Sequence, residues 1–325
     1  MGPLEWVVFG LGVPLGTLLL LRLVAATGGR LSDDPKEAPE RKLQARAVPA
    51  VGGTALFLVG LVYFFLADQL DVSSGDRGTM LLRSGPVAGA LAGAFLVGLF
   101  DDLREGGLAA GPKVLLQFTA ALPLFAIAPG PEGVALVFAG VVAMNALNTF
   151  DNADGVVTGL VAFTLLPLAP SLCLGLATFL PFNLGNAPFG ALPGTAERRV
   201  PKAYLGDSGS HLLGMLLLFL PGAWLALTLP LLDLGRVAWL RLRSGQPVWV
   251  GDRLHLAHRL EARGLPPWAV LLLLLVVSAP AVFVGTSGLV FEDGVATGLG
   301  LLATTLLFVA AVWFSRPKVA PARRR

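Results

Sequence analysis

Four short segments of this chain set carboxylates beside glycines, amides or basic side chains in patterns that could handle phosphate and metal. In GLFDDLRE, Asp101 and Asp102 are adjacent, and paired carboxylates either hold a hard cation or force one of the two to keep its proton. NALNTFDNADG holds Asn145, Asn148, Asp151 and Asp154; Asn148 and Asp151, three residues apart, share a face if the segment continues a helix. In YLGDSGSHLLG, Asp207 is flanked by small residues that let a phosphate or a metal come close to the backbone. GDRLHLAHRL combines Asp252, Arg253, His255, His258 and Arg259; two imidazoles lack the third ligand of a catalytic zinc site, so phosphate and sugar contacts suit them better. Each segment alone has a plainer explanation: a solvated helix end for the first, helix capping for the second and third, and an interfacial histidine pair for the fourth.

The elements that must position these groups are membrane spans. Of the 325 residues 55% are hydrophobic and 14% charged, against roughly 25% charged in soluble domains. Several apolar runs approach the roughly 20 residues that cross a bilayer core. Leu4 to Ala26 is too long for a signal-peptide core and has no basic start, so it reads as a retained first span, and secretion is not expected. A single cysteine, Cys173, excludes an internal disulfide and a thiolate cluster. The net charge of +3 gives no reason to expect a nucleic-acid partner, but its distribution orients the chain, because cytoplasmic loops favour Lys and Arg.

The loop Thr27 to Val48, with Arg30, Lys36, Arg41, Lys42 and Arg46, is therefore placed in the cytoplasm. Val87 to Phe100 returns to that side at Asp101, Val114 to Ala128 leaves it, a turn at Pro129 to Gly133 reverses the chain, and Val134 to Leu147 comes back. Asp101 and Asp151 then share a face with the Arg-rich stretch Gly235 to Gly264 and the terminal Arg323, Arg324 and Arg325. Two spans, near Trp268 to Val284 and Gly298 to Trp313, follow that stretch. The runs Val156 to Phe182 and His211 to Leu232 are too long for loops and too short for two crossings. Keeping Arg198, Arg199 and Lys202 inside makes each a short hairpin, turning near Pro167 to Pro170 and near Pro221 to Gly222, partly re-entrant.

The expected fold is all-α: one integral membrane domain over 1–325, a polytopic bundle of roughly nine to eleven helices with a cytoplasm-facing cleft where Asp101, Asp102, Asp151, Asp154 and Asp207 converge. Carboxylates holding magnesium, with Lys and Arg around them, are what phosphoryl transfer between an anionic lipid and a diphosphate sugar requires.

The four segments, in order, resemble the polyprenyl-phosphate N-acetylhexosamine-1-phosphate transferase family, whose members start bacterial cell-wall, teichoic-acid and O-antigen lipid intermediates. ERKLQARAVPAVGG at Glu40 to Gly53, DDLRE, PKVLLQ at Pro112 to Gln117, NTFDNADG and GDSGS look like successive family motifs, and LLDLGRVAWLRLRSGQPVWVGDRLHLAHRL looks like the last long loop of the branch that uses UDP-N-acetylglucosamine. The resemblance implies a UDP-N-acetylhexosamine and a polyprenyl phosphate, undecaprenyl phosphate in the first place, as partners, Mg2+ or Mn2+ as cofactor, and a place in the bacterial inner membrane, compatible with a homodimer. It implies Asp207 and Asp102 as metal ligands, with Asp101 and Asp102 acting on the lipid phosphate, by proton removal or through a covalent phosphosugar. It turns Asn148, Asp151, Asp154 and Asn183 toward the nucleotide, sets Arg46 and Lys113 against phosphates, and sets Arg253, His255 and His258 against the sugar-diphosphate end.

The sequence departs from the family pattern at Gln44, Glu105, Asn152 and Ala257 and in the length of chain between Asn183 and Asp207, which bears on sugar recognition and on activity. Transfer of phospho-N-acetylmuramoyl pentapeptide is the alternative within the class. An ion-coupled transporter is the alternative outside it, and is disfavoured because the acids sit in loops at one face. An inactive scaffolding relative is disfavoured by the intact Asp101, Asp102, Asp154 and Asp207.

Overall fold

Backbone amides in hydrocarbon have no water to bond, so a chain this apolar must satisfy them within helices. The computed structural model describes residues 3–27, 31–33, 47–69, 84–184, 200–249 and 251–316, and these are almost entirely helical. In chain order the helices are α1 (Pro3–Ala26), α2 (Gly52–Gln69), α3 (Gly85–Leu103), α4 (Ala110–Ala121), α5 (Pro131–Phe150), α6 (Val156–Leu165), α7 (Pro170–Asn183), α8 (Gly206–Leu217), α9 (Thr228–Arg243), α10 (Leu256–Ala262), α11 (Pro267–Thr286), α12 (Leu289–Glu292) and α13 (Gly294–Phe314). That is thirteen among the described residues, against nine to eleven expected; the short α10 and α12 sit in connections that carry no long apolar run. Proline opens several of them, at Pro131, Pro170 and Pro267, where its missing N–H is one that the first turn leaves unbonded anyway.

Among the described residues, six segments are long and apolar enough to cross a membrane: Leu4–Ala26, Gly85–Leu103, Pro131–Phe150, Ala223–Arg243, Pro267–Thr286 and Gly294–Phe314. Their outer faces expose Leu11, Leu15 and Leu19 on α1, Leu96 on α3, Phe283 on α11, and Leu299, Leu302 and Leu306 on α13. Such a surface is stable against lipid and not against water. The chain is a polytopic helical membrane protein.

The first expected hairpin is α6 and α7, of 10 and 14 residues, packed together around a turn at 166–169. The second turns at Pro221–Gly222, where Gly222 adopts φ 72°, but its arms are unequal. α8 has 12 residues, whereas a 3-10 turn, Ala223–Leu227, runs on into α9 to make a 21-residue stretch long enough to span. The apolar run ends near Leu232, but the helix continues through the amphipathic LDLGRVAWLRLR, so counting apolar residues shortens this arm.

α8 lies at the centre, packed chiefly on α3 and α5 with α2 on a third side. Two strands of two residues, Ser32–Asp33 and Val48–Pro49, pair antiparallel. Beside them, Pro49 O accepts from Tyr204 N (2.8 Å), Tyr204 O from Gly52 N (3.0 Å), and Leu205 O from Gly53 N (2.8 Å), which ties the entry of α2 to the entry of α8.

Candidate active site

Helix ends leave backbone N–H groups unbonded, and a carboxylate is their strongest partner. Asp102, in the last turn of α3, accepts from Asp207 N at 2.8 Å through Oδ1 and from Ser208 N at 3.0 Å through Oδ2, closing the first turn of α8. The helices meet this closely because glycines line the contact: a Cβ at Gly98 of α3 would strike the Asp207 and Ser208 main chain, and one at Gly53 of α2 would strike Gly209.

Next to this junction, Lys113 of α4 directs its ammonium between two carboxylates. It pairs with Asp101 at 3.2 Å and more closely with Asp207, and reaches Asn148 Oδ1 of α5 at 3.5 Å. Asp101 also accepts from Leu108 N at 2.6 Å. Asn148 Nδ2 donates to Ser210 Oγ at 3.1 Å. The Asp207 side chain is 27% exposed against 13% for Asp101, so the cluster opens to the outside chiefly at Asp207.

Below the cluster runs a buried chain of amides and an imidazole. Asn145 Nδ2 donates to Gln117 Oε1 at 2.7 Å, which leaves Gln117 Nε2 to donate to His211 Nε2 at 2.8 Å; His211 Nδ1 in turn donates to the Asp207 carbonyl at 2.7 Å. The partners fix the assignment: the His211 ring carries its hydrogen on Nδ1.

Asp151 follows the last residue of α5. Burial first, then the charges of Asp207, Asp102 and Asp154, push its carboxyl well above the ordinary range, and these leading influences all act in one direction. Dense carboxylate charge of this kind, offered through oxygen donors, fits a hard divalent cation. Among the described residues no three His, Cys, Asp or Glu side chains form a ready-made metal shell. The Lys113 ammonium stands between Asp101 and Asp207, and Asp102 spends both oxygens on backbone. Asp207, the more exposed of the two carboxylates that Lys113 pairs with, and Asp151, under the charges of Asp207 and Asp102, are the carboxylates that could receive a cation, Asp207 in exchange for its ammonium partner.

A second cluster belongs to the last loop. Asp233 of α9, fully buried, accepts from Arg236 and from His255 Nδ1, both at 2.8 Å, and Arg241 Nε donates to Asp252 at 2.7 Å. His258 Nδ1 lies 3.5 Å from Glu261, and Arg253 is exposed.

Of the residues singled out in the sequence, Asp101, Asp102, Lys113, Asn148, Asp151, Asp154 and Asp207 come together. Asn183 is buried and bonded to other groups: its Oδ1 accepts from Thr158 at 2.7 Å and its Nδ2 donates to Ala203 O at 3.3 Å, a junction between hairpin and incoming chain. His255 and His258 sit in the second cluster, and Arg46 lies outside the described residues. Sequence reasoning missed Gln117, His211 and Asp233. Asp233 and Arg236 had a signal, an acid three residues before a base on one helix face; the Gln117–His211 pair had none, being 94 residues apart.

No family model matches the chain. Among curated proteins, it is 30% identical over 252 residues to the undecaprenyl-phosphate alpha-N-acetylglucosaminyl 1-phosphate transferase of Thermotoga maritima, covering 72% of this chain and 75% of that one. It is 28% identical to the decaprenyl-phosphate N-acetylglucosaminephosphotransferase of Mycobacterium leprae, over 91% of this chain and 89% of the relative. A match to the phospho-N-acetylmuramoyl-pentapeptide-transferase of Streptomyces coelicolor, at 33% identity, covers 35% of this chain. With the carboxylates of the ordered motifs gathered at one helix junction, and with these relatives, the chain belongs to the polyprenyl-phosphate N-acetylhexosamine-1-phosphate transferase family.

Proposed function

We propose that the protein transfers N-acetylglucosamine-1-phosphate from UDP-N-acetylglucosamine to undecaprenyl phosphate, releasing UMP, on the cytoplasmic side of a bacterial inner membrane, as the first membrane step toward an envelope polysaccharide such as a teichoic acid or lipopolysaccharide. The observation that carries this reading is the Lys113 ammonium held between Asp101 and Asp207 where α3, α4 and α8 meet. An open carboxylate and a cation at the end of a spanning helix suit one lipid-borne phosphate and one soluble diphosphate.

In the reaction, an oxygen of the lipid phosphate bonds to the sugar-linked phosphorus, the bond from that phosphorus to the bridging oxygen breaks, and UMP leaves. Of the adjacent pair, Asp101 is the better acceptor for a proton from the lipid phosphate, because Asp102 is committed to the α8 backbone. Lys113 supplies fixed positive charge to the incoming phosphates, and Asn148, held by Ser210, offers an amide beside it. Asp207 and Asp151 would hold Mg2+, or Mn2+ in its place, and the ion would supply neutralisation of the diphosphate charge.

The test is Mg2+-dependent UMP release from UDP-N-acetylglucosamine by purified protein with undecaprenyl phosphate. Release that requires lipid, metal and Asp207 supports the reading. Release only with the muramoyl-pentapeptide nucleotide moves the protein to the peptidoglycan branch, and silence with both donors overturns the reading.

A further inference from the structure

A carboxylate removed from water must have its lone pairs met by donors. Asp233, in the middle of α9 and fully buried, meets them with groups that all bear on His255. Its Oδ2 accepts from His255 Nδ1 at 2.8 Å. Both of its oxygens lie 3.2 Å from Leu256 N, the residue after the histidine. Its Oδ1 accepts from Arg236, at 3.2 Å from Nε and 2.8 Å from a terminal nitrogen, and that terminal nitrogen also donates to Leu254 O, the residue before the histidine. The imidazole and the peptide groups on either side of it are therefore clamped by one ion pair on a neighbouring helix.

This arrangement decides which ring nitrogen is available. An ionised carboxylate only accepts, so Nδ1 carries a hydrogen and is used up; in the neutral ring the lone pair is then on Nε2. We infer that Asp233 is the positioning residue of His255, holding the ring with Nδ1–H turned inward so that Nε2 is the nitrogen offered to the diphosphate-sugar substrate. The inference rests on the transfer reaction proposed above and on the family resemblance, which sets His255 against the sugar-diphosphate end. Asp233 itself touches no substrate and acts through the ring.

The chain has three histidines, so the ring nitrogens of 15N-histidine-labelled protein in lipid nanodiscs can be assigned by replacing His211 and His258 in turn. In the wild type, at a pH where the ring is neutral, His255 is expected as the Nδ1–H tautomer. Asp233→Asn places an amide donor opposite Nδ1 and is expected to move the hydrogen to Nε2, while Asp233→Glu keeps it on Nδ1. UMP release should fall in Asp233→Asn on the order of tenfold to a hundredfold, the range for residues that orient another residue's imidazole. The same change should cost nothing further in a His255→Gln background, because the two residues act as one unit.

A wild-type ring carrying its hydrogen on Nε2 overturns the inference without any variant being needed. An unchanged tautomer in Asp233→Asn, or losses that multiply in the double variant, overturns it as well and leaves Asp233 a staple for α10. If the wild type releases no UMP, the reaction reading fails by itself and the tautomer measurement still decides the Asp233–His255 relation.

Discussion

Asp102 joins the end of α3 to the start of α8 by giving one carboxylate oxygen to Asp207 N, at 2.8 Å, and the other to Ser208 N, at 3.0 Å. Its neighbour Asp101 accepts instead from Lys113 and from the Leu108 amide. Two adjacent aspartates in one motif thus have different work, and substitution should separate them. Asp102→Asn keeps one acceptor and turns an amide donor against a backbone donor, leaving a buried N–H unmet at a cost of about 1–3 kcal/mol. Thermal unfolding in detergent should fall for Asp102→Asn and hold for Asp101→Asn, whereas UMP release should fall about a hundredfold or more for Asp101→Asn. Equal unfolding temperatures for the two variants would contradict the division.

Asp151 gives the metal-free protein a pH dependence of known sign. Burial and three neighbouring carboxylates raise its folded-state value, so over the raised interval the folded protein holds a proton that the unfolded chain has released. Stability therefore declines as pH climbs from about 3.9, the ordinary aspartate value, through the raised one. Asp151→Asn should flatten that decline and raise the unfolding temperature at neutral pH. Mg2+ should stabilise the wild type more at the alkaline end than at the acid end. An unfolding temperature that rises with pH in the wild type and is unaltered by the substitution would sink this account.

Much of this was legible in the sequence. Composition and apolar run length are direct readouts of the lipid environment, so the spans at Leu4–Ala26, Pro267–Thr286 and Gly294–Phe314 needed no tertiary information. The acidic site was legible because DDLRE, NTFDNADG and GDSGS are local and polar against an apolar background. The length of α9 was not, since its second half is amphipathic and resembles loop until Asp233 and Arg236 are seen to be buried against each other. Nor was the buried location of Asn183, whose partners Thr158 and Ala203 are distant along the chain. Pairings between distant polar residues leave no periodic trace in one sequence, and the Gln117–His211 bond is the clearest instance.

That bond makes a prediction of its own. Gln117 and His211 are both fully buried, so removing either strands the other's polar atoms in an apolar interior. Gln117→Leu and His211→Leu should each cost about 1–3 kcal/mol of stability, while the double variant should cost less than the sum, because replacing both partners leaves nothing unmet between them. Asn145 tolerates the loss of Gln117, since its Nδ2 also donates to Val141 O at 2.8 Å. Unfolding temperatures of the four proteins, measured in one detergent, test this directly, and additive losses would show that the two residues do not depend on each other.

Lys113 holds three groups from three different helices, and its removal should expose how much the site depends on positive charge. Without it, Asp101 and Asp207 face each other with no compensating cation, and like charges in a poorly solvated cleft repel. Lys113→Met should therefore lower the unfolding temperature of the metal-free protein, and added Mg2+ should restore more of it in the variant than it adds to the wild type, because in the wild type the ammonium competes for Asp207. Activity should not return with the stability, since a metal ion that replaces the ammonium between the carboxylates does not supply the contact with the phosphates proposed for Lys113. Titrating Mg2+ against unfolding temperature and against UMP release separates the two roles: recovery of both together would mean that Lys113 serves only to hold the carboxylates apart.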